Sequence, residues 1–133
     1  WGANNQVPND ANVNGTRSGS VFFAFDRFNT AAIEQGSSSV TSIAQRIKQS
    51  NSTGPILVAG FADPLGKFAY NQQLSSQRAN TVAKLLVNEG IDANRIQIQA
   101  NSQTDIYQQC TGNKANAQLV GCLAPNRRVN VTW

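Results

Sequence analysis

Asp63 and Arg78 are the two residues of this chain whose types and setting point most directly to chemistry. Asp63 follows the apolar run Ile56-Leu57-Val58-Ala59, which stands behind Pro55 and has the pattern of a strand buried on both faces. In Asp63-Pro64-Leu65-Gly66 the Asp, Pro and Gly take the first, second and fourth places that a type I turn favours. A helical pattern opens behind that turn. At about 100° per residue, Leu74, Val82, Leu85 and Leu86 form one apolar stripe, and Asn71 and Arg78 fall inside it near its N-terminal end. Stranding a buried arginine costs about 3–5 kcal/mol, and the carboxylate nearest by chain logic is Asp63. An acid and a base would then stand side by side at the C-terminal edge of a sheet, where open α/β sheets place their ligands. The pair has the form of a binding site. It equally has the form of a structural ion pair, and spacing alone does not separate the two.

The elements that must hold this pair can be read in order. Val21-Phe22-Phe23-Ala24-Phe25 is an aromatic run too apolar for anything but a central strand. Asp26 and Asn29 follow at its end, where either could line a site or start the next turn. Val40, Ile43, Ala44 and Ile47 recur at helical spacing and predict an amphipathic helix over about residues 38–49, with Gly36 and the three serines behind it as N-cap choices and Ile33 pinning the incoming chain. The helix that carries Arg78 runs to about Asn88, with Gly90 suited to a left-handed cap and Ile91 folding back behind it. Alternation over residues 95–100, with Ile96, Ile98 and Ala100 on one side, predicts a half-covered strand, and residues 129–133 alternate in the same way. The order is βαβαβ(α)β, which predicts an α/β (α+β) fold: a mixed four-stranded sheet with helices packed against it. Residues 1–19 are rich in Asn, Gly and Asp without a hydrophobic period and read as a flexible polar linker or N-terminal arm; residues 20–133 form the domain.

Composition narrows the chemistry. A chain of 133 residues suits one domain with a proper core. It is 40% hydrophobic and only 14% charged, so its solubility rests on Asn, Gln, Ser and Thr. The net charge of +4 is dispersed, with only Arg127 and Arg128 adjacent, which argues against a nucleic-acid surface. There is no histidine, so Ser-His and Cys-His dyads and His-based metal motifs are excluded. With only 7 acidic residues and no phosphate-cradling Gly-rich loop, neither a paired-carboxylate glycosidase nor a nucleotide enzyme is indicated. Cys110 and Cys122 have neither metal-ligand nor Cys-x-x-Cys spacing, and their pairing is open on these grounds. No apolar run approaches the ~20 residues that cross a bilayer, and the start on Trp1 without a signal peptide fits a mature form or a piece of a longer protein. These features predict no enzyme, no cofactor and no metal.

Gly60-x-x-Asp63, Asn71-x-x-Leu74-Ser75-x-x-Arg78-Ala79 and Asn126-Arg127-Arg128-Val129, taken together and in order, resemble the OmpA-like C-terminal domain, the periplasmic peptidoglycan-binding module. The resemblance spans roughly residues 20–133, and Cys110-x(11)-Cys122-Leu-Ala-Pro-x-Arg-Arg-Val is similar to the disulfide-bearing branch found in enteric bacteria. The chain departs from the family pattern at Phe61-Ala62, where an aromatic or His followed by Thr is usual, and at residues 100–105, where a Gly-rich turn is usual.

The resemblance implies a Cys110–Cys122 disulfide, closing a loop of about 13 residues and contributing about 3 kcal/mol. It implies binding of peptidoglycan through the meso-diaminopimelate stem peptide, whose free end carries an ammonium and a carboxylate on one carbon. Asp63 would take the ammonium and Arg78 the carboxylate, with Asn71 at the stem-peptide carbonyls, Leu74 beside them, and Arg127 or Arg128 and Asp26 on the rim. A lysine-type stem lacks that carboxylate and would leave Arg78 unsatisfied. The expected setting is the periplasm of a Gram-negative cell, tethered to the outer membrane by an anchor upstream of residue 1, with envelope proteins as further partners. Two other readings stay open: an assembly module of an envelope complex that has lost the ligand, and charge-driven nucleic-acid binding, which would fall steeply with salt.

Overall fold

The computed structural model describes residues 17–34, 39–50, 53–112 and 116–133. Four strands, β1 (Ser18–Phe22), β2 (Ile56–Ala62), β3 (Ile96–Gln103) and β4 (Arg128–Thr132), form one sheet in the order β1-β4-β2-β3. Helices α1 (Val40–Gln49) and α2 (Phe68–Asn88) separate β1, β2 and β3, and a short α3 (Ala117–Cys122) precedes β4. β2 and β3 are parallel, whereas β4 is antiparallel to both β1 and β2, so the sheet is mixed as the order of elements implies.

The aromatic first strand is corrected in place and extent. It lies at an edge rather than the centre and runs over Ser18–Phe22, not 21–25. The centre goes to β4, whose two free edges are filled by β1 and β2. β1 remains apolar because both its faces are covered: Val21 and Phe23 are fully buried in the core, and the Arg128 guanidinium lies over the Phe22 ring. Its outer edge is partly closed by a bridge between Phe23 and Ile33 and by Glu34 N–H donating to the Phe22 carbonyl. Arg17 accepts a hydrogen bond from Trp133 N–H, and Gly19 sits so close to α1 that a Cβ there would meet Ile43 at 2.8 Å. Strand pairing therefore starts at Ser18, ahead of residue 20. Of the linker expected for residues 1–19, residues 1–16 lie outside the described residues, as do the cap candidates Gly36, Ser37 and Ser38.

α1 starts at Val40 with Ser39 as its N-cap, the hydroxyl accepting from Ser42 N–H. α2 ends as expected. Gly90 has φ +97°, Ile91 N–H donates to the Leu86 carbonyl and Gly90 N–H to that of Val87, the paired bonds of a Schellman cap. The core joins Ile43 and Ile47 of α1 to Val82 and Leu86 of α2 over Ile56, Val58, Val129 and Val131 of the sheet. Each such side chain contributes about 1.5–3 kcal/mol on burial.

β2 extends past Ala59 to Ala62, because Gly60 and Ala62 still pair with Ala100 and Gln103 of β3 across a register shift. In β3 that shift carries Ser102 at φ +58°, where its N–H donates to the Ser75 hydroxyl and its own hydroxyl donates to the Phe68 carbonyl. Gly60 is the point of closest approach between sheet and helix, since a Cβ there would lie 2.0 Å from the Ser75 carbonyl oxygen. This small-residue seam fixes where the N-terminal half of α2 sits over the end of β2. The opposite face of the sheet is covered at the same end by Tyr107, packed edge-on against Phe61 and accepting from Asn130 Nδ2. Cys110 and Cys122 are joined in a disulfide.

Candidate functional site

Asp63 is the first residue past β2, and the chain turns there because its carboxylate caps the turn: Oδ1 accepts from Leu65 N–H at 3.2 Å. Gly66 completes the turn at φ +95° and delivers the chain to α2. Asn71, in the first turns of α2, locks the same loop. Its Nδ2 donates to the carbonyls of Asp63 (3.3 Å) and Leu65 (2.9 Å) and to Gln103 Oε1 (3.1 Å). Asp63 is buried, as are Asn71, Leu74 and Arg78, whose places in the helical stripe require it.

The partner expected for Asp63 is corrected. Its Oδ2 receives Arg127 Nη1 at 3.3 Å, both side chains being almost fully enclosed. Arg78 instead donates to three backbone carbonyls: Nε to Arg27 (2.8 Å), Nη1 to Phe61 (3.0 Å) and Nη2 to Ala24 (3.1 Å). Its guanidinium carbon also stands 5.6 Å from the centre of the Phe23 ring. The reason is geometric: Arg78 reaches from α2 across the Phe61 carbonyl of β2 to the Ala24 and Arg27 carbonyls of the loop that follows β1. Arg127 enters from the start of β4, with Nε on the Phe23 carbonyl (2.9 Å) and Nη1 shared between Asp63 and the Val120 carbonyl (2.8 Å).

Arg127 and Arg128 are placed differently. Arg127 lies beside Asp63, while Arg128 turns to the other face of the sheet and lies over the rings of Phe22 (4.9 Å) and Tyr107 (3.6 Å), its Nε on the Pro125 carbonyl. Strand parity carries this signal. Val129 and Val131 face the core, so Arg127 shares their side and Arg128 does not.

Asp26 is exposed at φ +60° and its carboxylate accepts from the Tyr70 hydroxyl. Tyr70 was not anticipated, because an exposed residue in a first helical turn carries no periodic signal. With Thr81 Oγ1 donating to the Phe28 carbonyl (2.6 Å), this bond fastens to α2 the loop over residues 24–29 that encloses Arg78.

Electrostatically the site holds two guanidiniums, Arg78 and Arg127, and two carboxylates, Asp63 and Asp26. Burial, and then the neighbouring Arg127, lower the Arg78 pKa to about 10, with Asp63 and Asp26 opposing the shift. The Tyr70 pKa is raised above 10.0, chiefly by its hydrogen bond to Asp26. The folded state thus favours the protonated phenol, so this bond supports the fold below pH 10 and is lost as pH rises through the raised value. In a spectroscopic titration of the phenolates, Asp26→Asn is expected to bring the Tyr70 transition down towards the ordinary range. An unmoved transition would mean that Asp26 does not hold the hydroxyl.

A binding function needs a defined lineage as well as a geometry. Residues 22–118 match the model of the OmpA family. The chain belongs to the OmpA family. It is 41% identical over 80 residues to outer membrane protein A of Shimwellia blattae, covering 59% of this chain and 33% of that protein. It is also 41% identical over 80 residues to outer membrane protein A of Klebsiella pneumoniae, covering 59% and 23%. The chain thus spans a third or less of the length of these relatives. Among solved structures, the peptidoglycan-associated lipoprotein of Burkholderia pseudomallei superposes with TM-score 0.65 at 23% identity, covering 93% of this chain and 96% of that one. The periplasmic domain of Helicobacter pylori MotB superposes with TM-score 0.60 at 21% identity, covering 90% and 74%. These two share the fold.

Proposed function

We propose that this domain is a non-catalytic peptidoglycan-binding module that takes the free end of the meso-diaminopimelate stem peptide and anchors an envelope protein to the cell wall. The observation that carries the reading is the charge arrangement at the end of β2. Two guanidiniums and two carboxylates balance overall and supply both signs of charge that a zwitterion requires. The ligand ammonium meets Asp63, competing there with Arg127 Nη1, and Asp26 adds negative charge at the rim. The ligand carboxylate meets the guanidiniums. Three of the five N–H bonds of Arg78 go to backbone carbonyls, so two are left, and Arg127 Nη2 is used by none of the contacts above. Asn71 and Leu74 hold the loop and wall beside it. Because Arg78 is wholly enclosed, binding must shift the loop over residues 24–29 that Tyr70 and Thr81 fasten. The domain would work in the periplasm, with its host tethered to the outer membrane.

The same enclosure favours a second reading, an assembly module in which Arg78 serves only to tie the loop to the sheet. Co-sedimentation with purified diaminopimelate-type cell-wall sacculi, over a range of salt, separates the two. Retention of wild type with modest salt sensitivity, and loss of retention in a folded Asp63→Asn variant, supports the anchor. No retention of folded wild type overturns it in favour of the assembly module.

A further inference from the structure

We infer that the Cys110–Cys122 disulfide is a positioning element for the Asp63 site, acting through α3 and Arg127; the ligand arm of its test rests on the function proposed above. The link is a short chain of contacts. Cys122 closes α3, and the carbonyl of Val120, two residues earlier, accepts from Arg127 Nη1 at 2.8 Å. That bond is shorter than the 3.3 Å one from the same nitrogen to Asp63, so the helix, together with the Phe23 carbonyl on Nε, helps to set where the guanidinium stands. α3 has 6 residues and only Leu119 is buried in it, whereas isolated helices shorter than about 12–15 residues are marginal in water. The Asn116 cap on Leu119 N–H and the disulfide hold its two ends.

The other arm of the loop has its own anchor. Asn126 Oδ1 accepts from the N–H groups of Tyr107 and Gln108, and its Nδ2 donates to the Gln108 carbonyl. Tyr107 is further held against Phe61 and Arg128. Opening the disulfide therefore leaves residues 107–108 in place and releases α3 selectively. Arg127 then loses one of its three acceptors, and the counter-charge of Asp63 is held less firmly.

The test compares oxidised protein, protein reduced with a dithiol, and Cys110→Ser/Cys122→Ser. In the reduction, the disulfide takes two electrons and two protons to give two thiols while the reagent closes to its cyclic disulfide. All forms are studied at a temperature where circular dichroism shows them folded. Hydrogen exchange at Nε–H of Arg127, which donates to the Phe23 carbonyl, is followed by nuclear magnetic resonance, with Nε–H of Arg78 as the internal control. Reduction and the double variant are each expected to speed Arg127 exchange at least tenfold and leave Arg78 within twofold. They are also expected to weaken diaminopimelate-type peptide binding at least fivefold. Unchanged Arg127 exchange overturns the inference. Oxidised protein that ignores the peptide counts against the proposed function alone, and the exchange result still decides the role of the disulfide.

Discussion

Arg127→Met is expected to destabilise the domain by about 3–5 kcal/mol, measured as a fall in the urea midpoint without change of slope. Methionine fills much of the space but leaves the Asp63 carboxylate buried beside an uncharged neighbour, which costs far more than the ion pair contributes over an apolar substitute. The carbonyls of Phe23 and Val120 lose their donors in the same step, which puts the loss towards the upper end of that range. Adding Asp63→Asn should recover part of the loss, because no unpaired charge is then left inside. Arg128→Met is the matched control: it removes stacking on Phe22 and Tyr107 and the bond to the Pro125 carbonyl from a half-buried position, and should cost less. Equal stability of Arg127→Met and wild type would show that Asp63 has another counter-charge, and the electrostatic account of the site would be wrong.

Gly60→Val should be as severe, by a different route. The first side-chain carbon would stand 2.0 Å from the carbonyl oxygen of Ser75 and 3.1 Å from the Ala79 methyl, so α2 must lift off the sheet. Neither neighbour can swing aside, since one is helix backbone and the other has no rotamer. A loss above about 3 kcal/mol is expected, beyond ordinary overpacking. Gly54 offers the control, because a Cβ there meets nothing among the described residues within 4 Å, and Gly54→Ala should stay within about 0.5 kcal/mol of wild type. The consequence is functional as well as structural. The Gly60–Ser75 contact sets the height of α2, and α2 carries Asn71 and Arg78.

How much of this was legible in the chain depends on whether a feature is local. The strand-turn-helix around Asp63, the buried stripe with Asn71 and Arg78 inside it, and the cap at Gly90-Ile91 follow from periodicity and turn chemistry, and the structure places them as read. The edge position of β1 was not legible, because which strand fills the centre is decided by β4 from the far end of the chain. Apolarity marks cover on both faces, and here Arg128 supplies the cover on Phe22 that a neighbouring layer would otherwise give. The counter-charge of Asp63 was misassigned for a related reason. Chain proximity favours Arg78, but ion pairs form where side chains converge, and Arg127 arrives from the sheet centre. Alternation with Val129 and Val131 would have chosen Arg127 over Arg128. Nothing comparable would have found Tyr70.

The charge set at the end of β2 is consistent with the proposed recognition role. Its guanidiniums are bonded to carbonyls and its buried carboxylate to an arginine, which fixes their geometry. On the proposed reading, the site discriminates through the charge that a wrong ligand fails to supply, once the loop over residues 24–29 has shifted.

Calorimetric titration of the oxidised domain with a diaminopimelate-type stem peptide, against a lysine-type peptide of the same length, tests the central claim most directly. The account predicts binding of the first, binding of the second weaker by roughly 2–5 kcal/mol, and loss of the preference in folded Asp63→Asn and Arg78→Lys variants. Equal affinity for the two peptides, or none for either by folded wild type, would contradict it.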